Sequence, residues 1–255
     1  MKVKANFSIL LIQQDNIDAK VICQMLSNEK ISLVQLSSPQ QAWNYMHEEK
    51  YCDLIILNLD SHDKSKFRIS GYQLLDGLQD DPVWKNIPLI IIAKELTNEF
   101  FYQQRLSQKT DIIIINPFDP IRFMENVHEL LTINLERHID EVNKQHVQMS
   151  KSLNNLIELM LKTKHDETYL KKFNNVKSSI IEHFRFEEQF MRTHAYPHIN
   201  EHIRGHRKIE DKLNVIKKNP INLLYADNLK TLKSDIFGDI NEDKKYIDFV
   251  KGIKL

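Results

Sequence analysis

The first half of the chain alternates short, unbroken apolar runs with segments whose apolar residues recur at helical spacing. The apolar runs lie at 8–12, 31–36, 54–59, 89–92 and 112–115. Runs without polar alternation are typical of strands buried on both faces of a parallel sheet. The helical segments lie around 17–27, 39–47, 71–78, 95–106 and 120–131. This alternation predicts an α/β domain with a doubly wound (βα)5 sheet.

The strand pattern stops after about Leu131, and four long amphipathic patterns follow at roughly 137–164, 167–194, 197–218 and 223–250. Four such helices with short connections predict an all-α, up-down four-helix bundle. We therefore expect two domains, residues 1–132 and residues 133–255. No glycine or proline separates them. The last helix of the first domain is expected to run almost directly into the bundle, which would couple the domains stiffly.

The charge balance narrows the classes of partner. Thirty-five basic and thirty-five acidic residues cancel, so the chain lacks the basic surplus that binds nucleic acid or acidic membranes. The apolar run near the N-terminus is too short for a signal peptide or a membrane span. The two cysteines are far apart in sequence, which argues against a disulfide and against a thiolate metal site. We expect a cytoplasmic protein.

Residues 8–12, 53–57, 71–75 and 116–118 together resemble the response-regulator receiver family, over about residues 5–132. The resemblance implies a phosphorylation site at the carboxyl ends of the strands. In place of the family's acceptor aspartate, acidic pair, hydroxyl residue and lysine, this chain carries uncharged residues, none with a hydroxyl: Asn58, Gln13 and Gln14, Ala93, and Asn116.

Phosphoryl transfer requires an anionic oxygen nucleophile, a metal ion and a cation. An amide at Asn58 is no nucleophile, and we interpret Asp15 and Asp60 as solvated loop residues rather than substitute acceptors. The site is therefore predicted to be degenerate and the domain to be a pseudo-receiver. Its surface remains available for a homodimer contact or a signalling partner.

Histidines and carboxylates of the second half fall at spacings that suit a metal site. His183 and Glu187 are four residues apart, as are His202 and His206. Residues at this spacing share one helix face. Two such helices facing each other would bring four ligands into one core. Imidazole and carboxylate donors without sulfur suit iron, manganese or zinc.

These residues belong to a longer pattern of 145–146, 183–191, 196–197, 202–206 and 243–246 that resembles the hemerythrin family over about residues 134–250. The resemblance implies two non-haem irons per chain and a dioxygen-like small ligand. It also implies that Glu187 and Asp243 bridge the irons. The implied histidine ligands are His146, His183, His202 and His206.

The fourth predicted helix departs from the family pattern, because no histidine follows His206. An ungapped comparison places Gly238 where the family has its histidine, whereas aligning Ile240 with the family's isoleucine places Asp239 there. We prefer Asp239, which shares a helix face with Asp243. Asp239 then either binds iron as a third carboxylate, or one iron position is labile or empty. A mononuclear or vacant site is the remaining alternative.

Several nearby residues have simpler interpretations. Phe184, Phe190 and Met191 are predicted to be core residues, and Glu188 is predicted to be solvated or to support a ligand. The remaining histidines are interpreted as surface residues: His47, His62, His128, His138, His165, His194 and His198.

Together the halves suggest a sensor of dioxygen, redox state or iron that signals by protein contact through the pseudo-receiver. The alternatives are a non-haem iron enzyme of the peroxidase or ferroxidase kind, and a metal-free interaction module. The sensor is favoured over the enzyme.

Overall fold

The structure, a computed structural model, describes residues 7–14, 16–27, 30–48, 51–59, 69–81, 84–94, 111–162, 167–218 and 225–253. The chain divides into two compact units between Arg137 and His138. The predicted boundary at residue 132 lies close to this division and stays a prediction.

The N-terminal unit is built on five parallel strands in the order β2-β1-β3-β4-β5. This is the flavodoxin-like doubly wound topology, so the predicted α/β class is confirmed. β3 and β4 are buried along their whole length, as their unbroken apolar runs indicated. The strands are β1 Phe7–Ile12, β2 Ile31–Leu36, β3 Leu54–Asn58, β4 Leu89–Ala93 and β5 Ile112–Ile115.

Three helices of this unit are α1 Ile17–Leu26, α2 Pro39–Met46 and α3 Gly71–Asp80. Each begins after a residue whose side chain accepts a hydrogen bond from a backbone N–H of the first turn: Asn16, Ser38 and Ser70. These caps satisfy donors that the helix itself leaves unpaired. The helix predicted over 95–106 lies outside the described residues.

Helix α4 runs without interruption from Pro120 to Lys162 over 43 residues. The sequence predicts two helices here, at 120–131 and 137–164, with an almost direct connection. One helix forms because the intervening residues include no glycine or proline to interrupt the backbone hydrogen bonds.

The C-terminal unit packs part of α4 with α5 Glu167–Thr193, α6 Ile199–Lys218 and α7 Tyr225–Lys251. One apolar core draws side chains from all four helices, including Leu153, Phe173, Leu213 and Leu232. From the end of the bundle that holds the histidines toward this apolar core, residue numbers increase along α4 and α6. Along α5 and α7 they decrease in the same direction. The helices are therefore arranged up-down-up-down, as predicted.

Helix α6 begins at Ile199, two residues later than predicted. The predicted start of the last helix, near residue 223, lies outside the described residues. None of the helices in the described part of the chain combines the length and the apolar content needed to cross a membrane.

Candidate metal centre

Each helix of the C-terminal unit contributes to one buried polar cluster. His146 comes from α4, and His183 and Glu187 lie one helical turn apart on α5. α6 contributes His202 and His206, and α7 contributes Asp239 and Asp243. The i, i+4 spacing points each pair toward the bundle interior. All seven predicted ligands therefore come together within the bundle.

One side of the cluster joins α4, α5 and α7. His146 Nε2 lies 3.1 Å from His183 Nε2 and 3.1 Å from Asp243 Oδ2. Glu187 Oε1 lies 3.5 Å from His183 Nε2 and 3.8 Å from His146 Nε2. Two imidazoles and two carboxylate oxygens thus converge on one point. These four residues form one of two groups whose donor atoms all lie within 4.8 Å of each other.

The opposite side joins α5, α6 and α7. Glu187 Oε2 lies 3.4 Å from His202 Nε2 and 3.5 Å from His206 Nε2. Asp243 Oδ1 lies 3.3 Å from His202 Nε2. The Asp239 carboxylate is on this side as well, with Oδ2 3.5 Å from His206 Nε2. Here two imidazoles meet three carboxylates.

Glu187 and Asp243 lie between these two sides. Each presents one carboxylate oxygen to His146 and the other oxygen to His202. Both carboxylates are fully buried. A buried carboxylate whose two oxygens face different histidine pairs has the geometry of a bridge between two cations.

Helix α7 presents Asp239 rather than Gly238 to the histidines. The Asp239 side chain is 10% exposed and contacts His206. A β-carbon built on Gly238 would have nothing within 4 Å. This placement agrees with the alignment that pairs Asp239 with the family's histidine.

Two polar side chains fix the orientation of histidine rings. Gln145 Oε1 lies 2.8 Å from His183 Nδ1, and Glu188 Oε1 lies 3.0 Å from His206 Nδ1. The Nδ1 proton donates to each oxygen, and Nε2 is therefore the ring nitrogen that faces the cluster. Phe184 also stacks on the His206 ring, with the centroids 3.8 Å apart.

Glu188 is therefore not solvated: it is 5% exposed. It lies about 100° from Glu187 around α5, but α6 packs against that face and buries it. Two arginines, Arg192 and Arg207, donate to its second oxygen. Glu188 is predicted from the sequence to be either solvated or in support of a ligand, and its contact with His206 favours the second interpretation.

The cluster strongly perturbs proton affinities. Burial lowers the pKa of His183 to about 4. Burial alone would also lower the pKa of His206, but the Asp239 and Glu187 carboxylates near its Nε2 and the hydrogen bond to Glu188 raise it to about 11. Burial and the neighbouring Glu187 raise the pKa of Asp243, whereas His183, His202 and His206 outweigh burial at Glu187 and lower its pKa. One carboxylate is held anionic and the other is pushed toward protonation.

The donor spacing fits bound metal ions. Ligands about 2.1 Å from one ion lie about 3.0 Å apart in octahedral geometry and about 3.4 Å apart in tetrahedral geometry. The contacts above span a similar range. Four buried atoms of this cluster have no aligned hydrogen-bond partner among the described residues: Glu187 Oε1, His206 Nε2, and Asp243 Oδ1 and Oδ2. Buried polar atoms of this kind are costly unless a ligand satisfies them.

Two histidines interpreted as surface residues are buried instead. His138 is 4% exposed and His194 is fully buried. Both rings stack on Phe190, and His138 is hydrogen-bonded to the Tyr246 hydroxyl. The partners of His138 come from two other helices, so local spacing did not mark its burial, whereas His194 stacks on a residue four positions earlier. His47, His128 and His198 are exposed as predicted, and His62 and His165 lie outside the described residues.

In the N-terminal unit, the residues of the predicted degenerate phosphorylation site lie at the carboxyl ends of the strands. Asn58 ends β3 and Ala93 ends β4, while Gln13 follows β1 directly, with Gln14 next, and Asn116 follows β5. The Gln13 amide donates to Asn16, and the Asn116 amide donates to Asp18 Oδ2. Asp15 and Asp60 lie outside the described residues. Four amide side chains and one alanine thus lie at this edge of the sheet, and the Asp18 carboxylate contacts one of them, Asn116.

The sequence matches no family model and no curated protein. Solved structures similar to the N-terminal half include a CheY-like response regulator receiver domain protein from Methanospirillum hungatei, with 17% identity over 51% of this chain and 97% of that one, at a TM-score of 0.44. The receiver domain of a sensor histidine kinase from Pseudomonas aeruginosa shows 16% identity over 50% and 98%, at 0.41. A signal receiver domain from Syntrophus aciditrophicus shows 20% identity over 49% and 89%, at 0.42.

Proposed function

We propose that the C-terminal unit binds two metal ions that share Glu187 and Asp243, and that the chain is a metal-dependent sensor. The observation that carries the proposal is the division of each buried carboxylate between two histidine pairs. A pair of histidines that only packs in a core needs one hydrogen-bond partner. This cluster instead brings together four imidazoles and three carboxylates, and no lysine or arginine side chain lies among these seven.

Iron is the metal we propose. Nitrogen and oxygen donors without sulfur suit iron, manganese and zinc. Carboxylate–histidine sets projecting from several helices of a bundle are typical of di-iron proteins. The order of His146, His183, His202 and His206 along the chain also resembles the hemerythrin pattern. Bound iron would supply one-electron redox chemistry and coordination positions for dioxygen or a related small ligand.

The third carboxylate distinguishes this site from the family pattern. Asp239 makes the proposed donor set four histidines and three carboxylates, which is harder and more anionic than one with five histidines. Such a set stabilises ferric over ferrous iron. We therefore propose that the unit reports redox state, dioxygen or iron supply rather than carrying dioxygen reversibly.

The surrounding residues prepare the donors for a cation. Gln145 and Glu188 hold His183 and His206 with Nε2 directed inward. Fully buried Phe184 and Phe190 exclude water from the cluster. Because metal ligands bind in deprotonated form, the protons favoured on His206 and Asp243 must leave when a cation binds.

We propose that the N-terminal unit passes on the state of the metal centre through protein contacts and without phosphorylation. The amides at Asn58 and Asn116 cannot accept a phosphoryl group or stabilise its charge. A sensor requires that the ligand bind two arrangements of the protein with different affinity. The partner would therefore recognise a surface of the receiver-like unit that differs between those arrangements.

An enzyme is the alternative. The donors around His146 and His183 number four, fewer than the six of an octahedral ion, so a small substrate has room to bind there. Peroxide reduction or ferrous iron oxidation at many turnovers per iron would favour an enzyme, whereas a single turnover would favour a sensor.

The test is anaerobic titration of the purified chain with Fe²⁺, with iron per chain measured after removal of unbound metal. We expect about two irons per chain, as in other bundle di-iron sites. Glu187→Gln should reduce both the stoichiometry and the affinity, because one buried bridge loses its charge. A wild-type chain that binds no iron would overturn the proposal and leave a metal-free interaction module.

A further inference from the structure

A groove lies between α6 and α7, on the side of the bundle nearest Asp239. Its volume is about 590 Å³. Gly205 of α6 and Gly238 of α7 line it, together with Asp239 itself. Asp239 thus faces the groove while its Oδ2 contacts His206 inside the cluster.

The two glycines keep this groove open. A β-carbon at Gly205 would lie 3.3 Å from Asp239 Oδ1, so a larger residue there would press on the carboxylate. At Gly238 a β-carbon would project into open space. Glycine inside a helix is unfavourable by comparison with alanine, and both positions are mid-helix. The two glycines that keep the groove open therefore make α6 and α7 less stable than alanines would.

The charge of the lining favours cations. Four carboxylates and two lysines line the groove: Asp211, Asp235, Asp239, Glu242, Lys208 and Lys212. Two of the carboxylates are already paired, since Asp235 accepts from Lys212 and Glu242 accepts from Lys245. Asp211 and Asp239 still outnumber the one remaining lining lysine, Lys208. A concave surface with a net negative charge raises the local concentration of cations.

The cluster itself needs a route of access. The side chains of His206, Glu187 and Asp243 are fully buried. A cation must lose its water and pass protein atoms to reach them. Asp239 is the residue that both lines the groove and contacts a buried histidine of the cluster.

We propose that this groove is the path by which a hydrated divalent cation reaches the position beside His202, His206 and Asp239. The inference rests on the proposed function, because it assumes that this position binds metal. Water occupies about 30 Å³ per molecule in the liquid, so the groove has room for an ion with its first hydration shell. Asp239 then exchanges with the ion's water before the histidines bind it.

The experiment uses Gly238→Leu in the full-length chain, with Co²⁺ as the probe because its visible absorption reports coordination. Leucine is a better helix former than glycine, so the variant should fold at least as stably. Its side chain would fill the groove without contacting the cluster. Gly238→Ala gives an intermediate case, and Asn241→Leu places the same side chain on an exposed α7 position outside the groove lining.

We expect Gly238→Leu to slow Co²⁺ loading, followed by stopped-flow absorbance, by about tenfold, equivalent to about 1.4 kcal/mol of added barrier. Release into excess chelator should slow by the same factor, with the final stoichiometry and Kd unchanged, because a narrowed path affects both directions equally. Gly238→Ala should slow both rates less, and Asn241→Leu should match wild type.

Equal rates in Gly238→Leu and wild type would overturn the path while leaving the metal centre intact. A weaker Kd with unchanged loading would also overturn it, because the variant would then be acting on the site itself. A wild-type chain that binds no Co²⁺ or Fe²⁺ would overturn the proposed function, and the path with it.

Discussion

The hydrogen bond between Glu188 and His206 gives a quantitative test of the metal centre. Glu188 Oε1 lies 3.0 Å from His206 Nδ1, and Glu188 is 5% exposed. Glu188→Gln keeps the shape of the side chain but removes its negative charge. The charge supports the Nδ1 proton, and that proton leaves Nε2 free to bind a cation.

Glu188 supports His206 but is not one of the seven proposed metal donors, and this determines how large the loss of metal affinity should be. Loss of such a supporting partner typically weakens metal binding by about 10–100-fold, or about 1.4–2.7 kcal/mol. Glu188 also pairs with Arg192 and Arg207, whose side chains are 55% and 49% exposed. Ion pairs of this exposure contribute about 0–1 kcal/mol to stability, so most of the effect should appear in metal affinity.

Glu210→Gln is the matched control. Glu210 is the other carboxylate partner of Arg207, and it does not belong to either of the two groups of side chains that could hold a metal ion. We expect Glu210→Gln to change metal affinity by no more than about twofold, because this substitution removes only an ion pair near the protein surface.

The assay is anaerobic competition for Fe²⁺ against a chromophoric chelator of known affinity, with circular dichroism to establish that each variant folds. Equal affinities in Glu188→Gln and wild type would refute the role of the His206 hydrogen bond. Equal weakening in Glu188→Gln and Glu210→Gln would assign the effect to Arg207 instead.

Three further predictions address other parts of the chain. Asp239→Ala should lower iron from about two per chain toward about one, measured by elemental analysis, because one position of a bundle di-iron site loses a donor; unchanged iron would exclude Asp239 as a ligand. Burial lowers the pKa of His138 well below its ordinary value, so the unfolded chain binds the extra proton and stability falls as pH falls below about 6.5. Urea unfolding should therefore show a smaller loss of stability between about pH 6.5 and about pH 5 in His138→Gln than in wild type; an equal loss would contradict it. Asn58→Asp should remain unmodified in acetyl phosphate and Mg²⁺ by intact mass, because Gln13 and Asn116 supply neither the metal carboxylate nor the cation; a phosphorylated chain would show that the receiver site is not degenerate.

Strands could be predicted closely because each is a short, largely apolar run, and the central strands β3 and β4 are buried along their whole length. β2 and β5 have the predicted bounds, and β1 and β4 each gain one residue at an end. β3 ends one residue early, at Asn58. Such end residues depend on which hydrogen bonds a neighbouring strand provides, and the sequence of one strand does not contain that information.

The seven clustered residues could be predicted because helical spacing and family order both select them. His183 and Glu187, and His202 and His206, share faces by spacing alone. His146 and Asp243 came from the hemerythrin resemblance. To choose between Asp239 and Gly238, one must know how α7 is rotated about its own axis relative to α6. The structure gives this rotation, and it turns Asp239 toward His206.

Burial of other polar residues could not be predicted, because it depends on helix packing. Glu188 points away from Glu187 on α5, and only the position of α6 brings it to His206. The partners of His138, Phe190 and Tyr246, lie on other helices. Phe190 is four residues before His194, but one aromatic residue at that spacing does not show that the bundle buries the pair. Long-range contacts of this kind follow from the assembled bundle rather than from local periodicity.

The most direct test of two ions sharing Glu187 and Asp243 is X-ray diffraction from iron-loaded crystals at the iron absorption edge. We expect two anomalous peaks in each chain, one beside His146 and His183 and one beside His202 and His206, with the two carboxylates between them. A single peak, or none in protein shown to have been exposed to Fe²⁺, would contradict the shared-carboxylate centre.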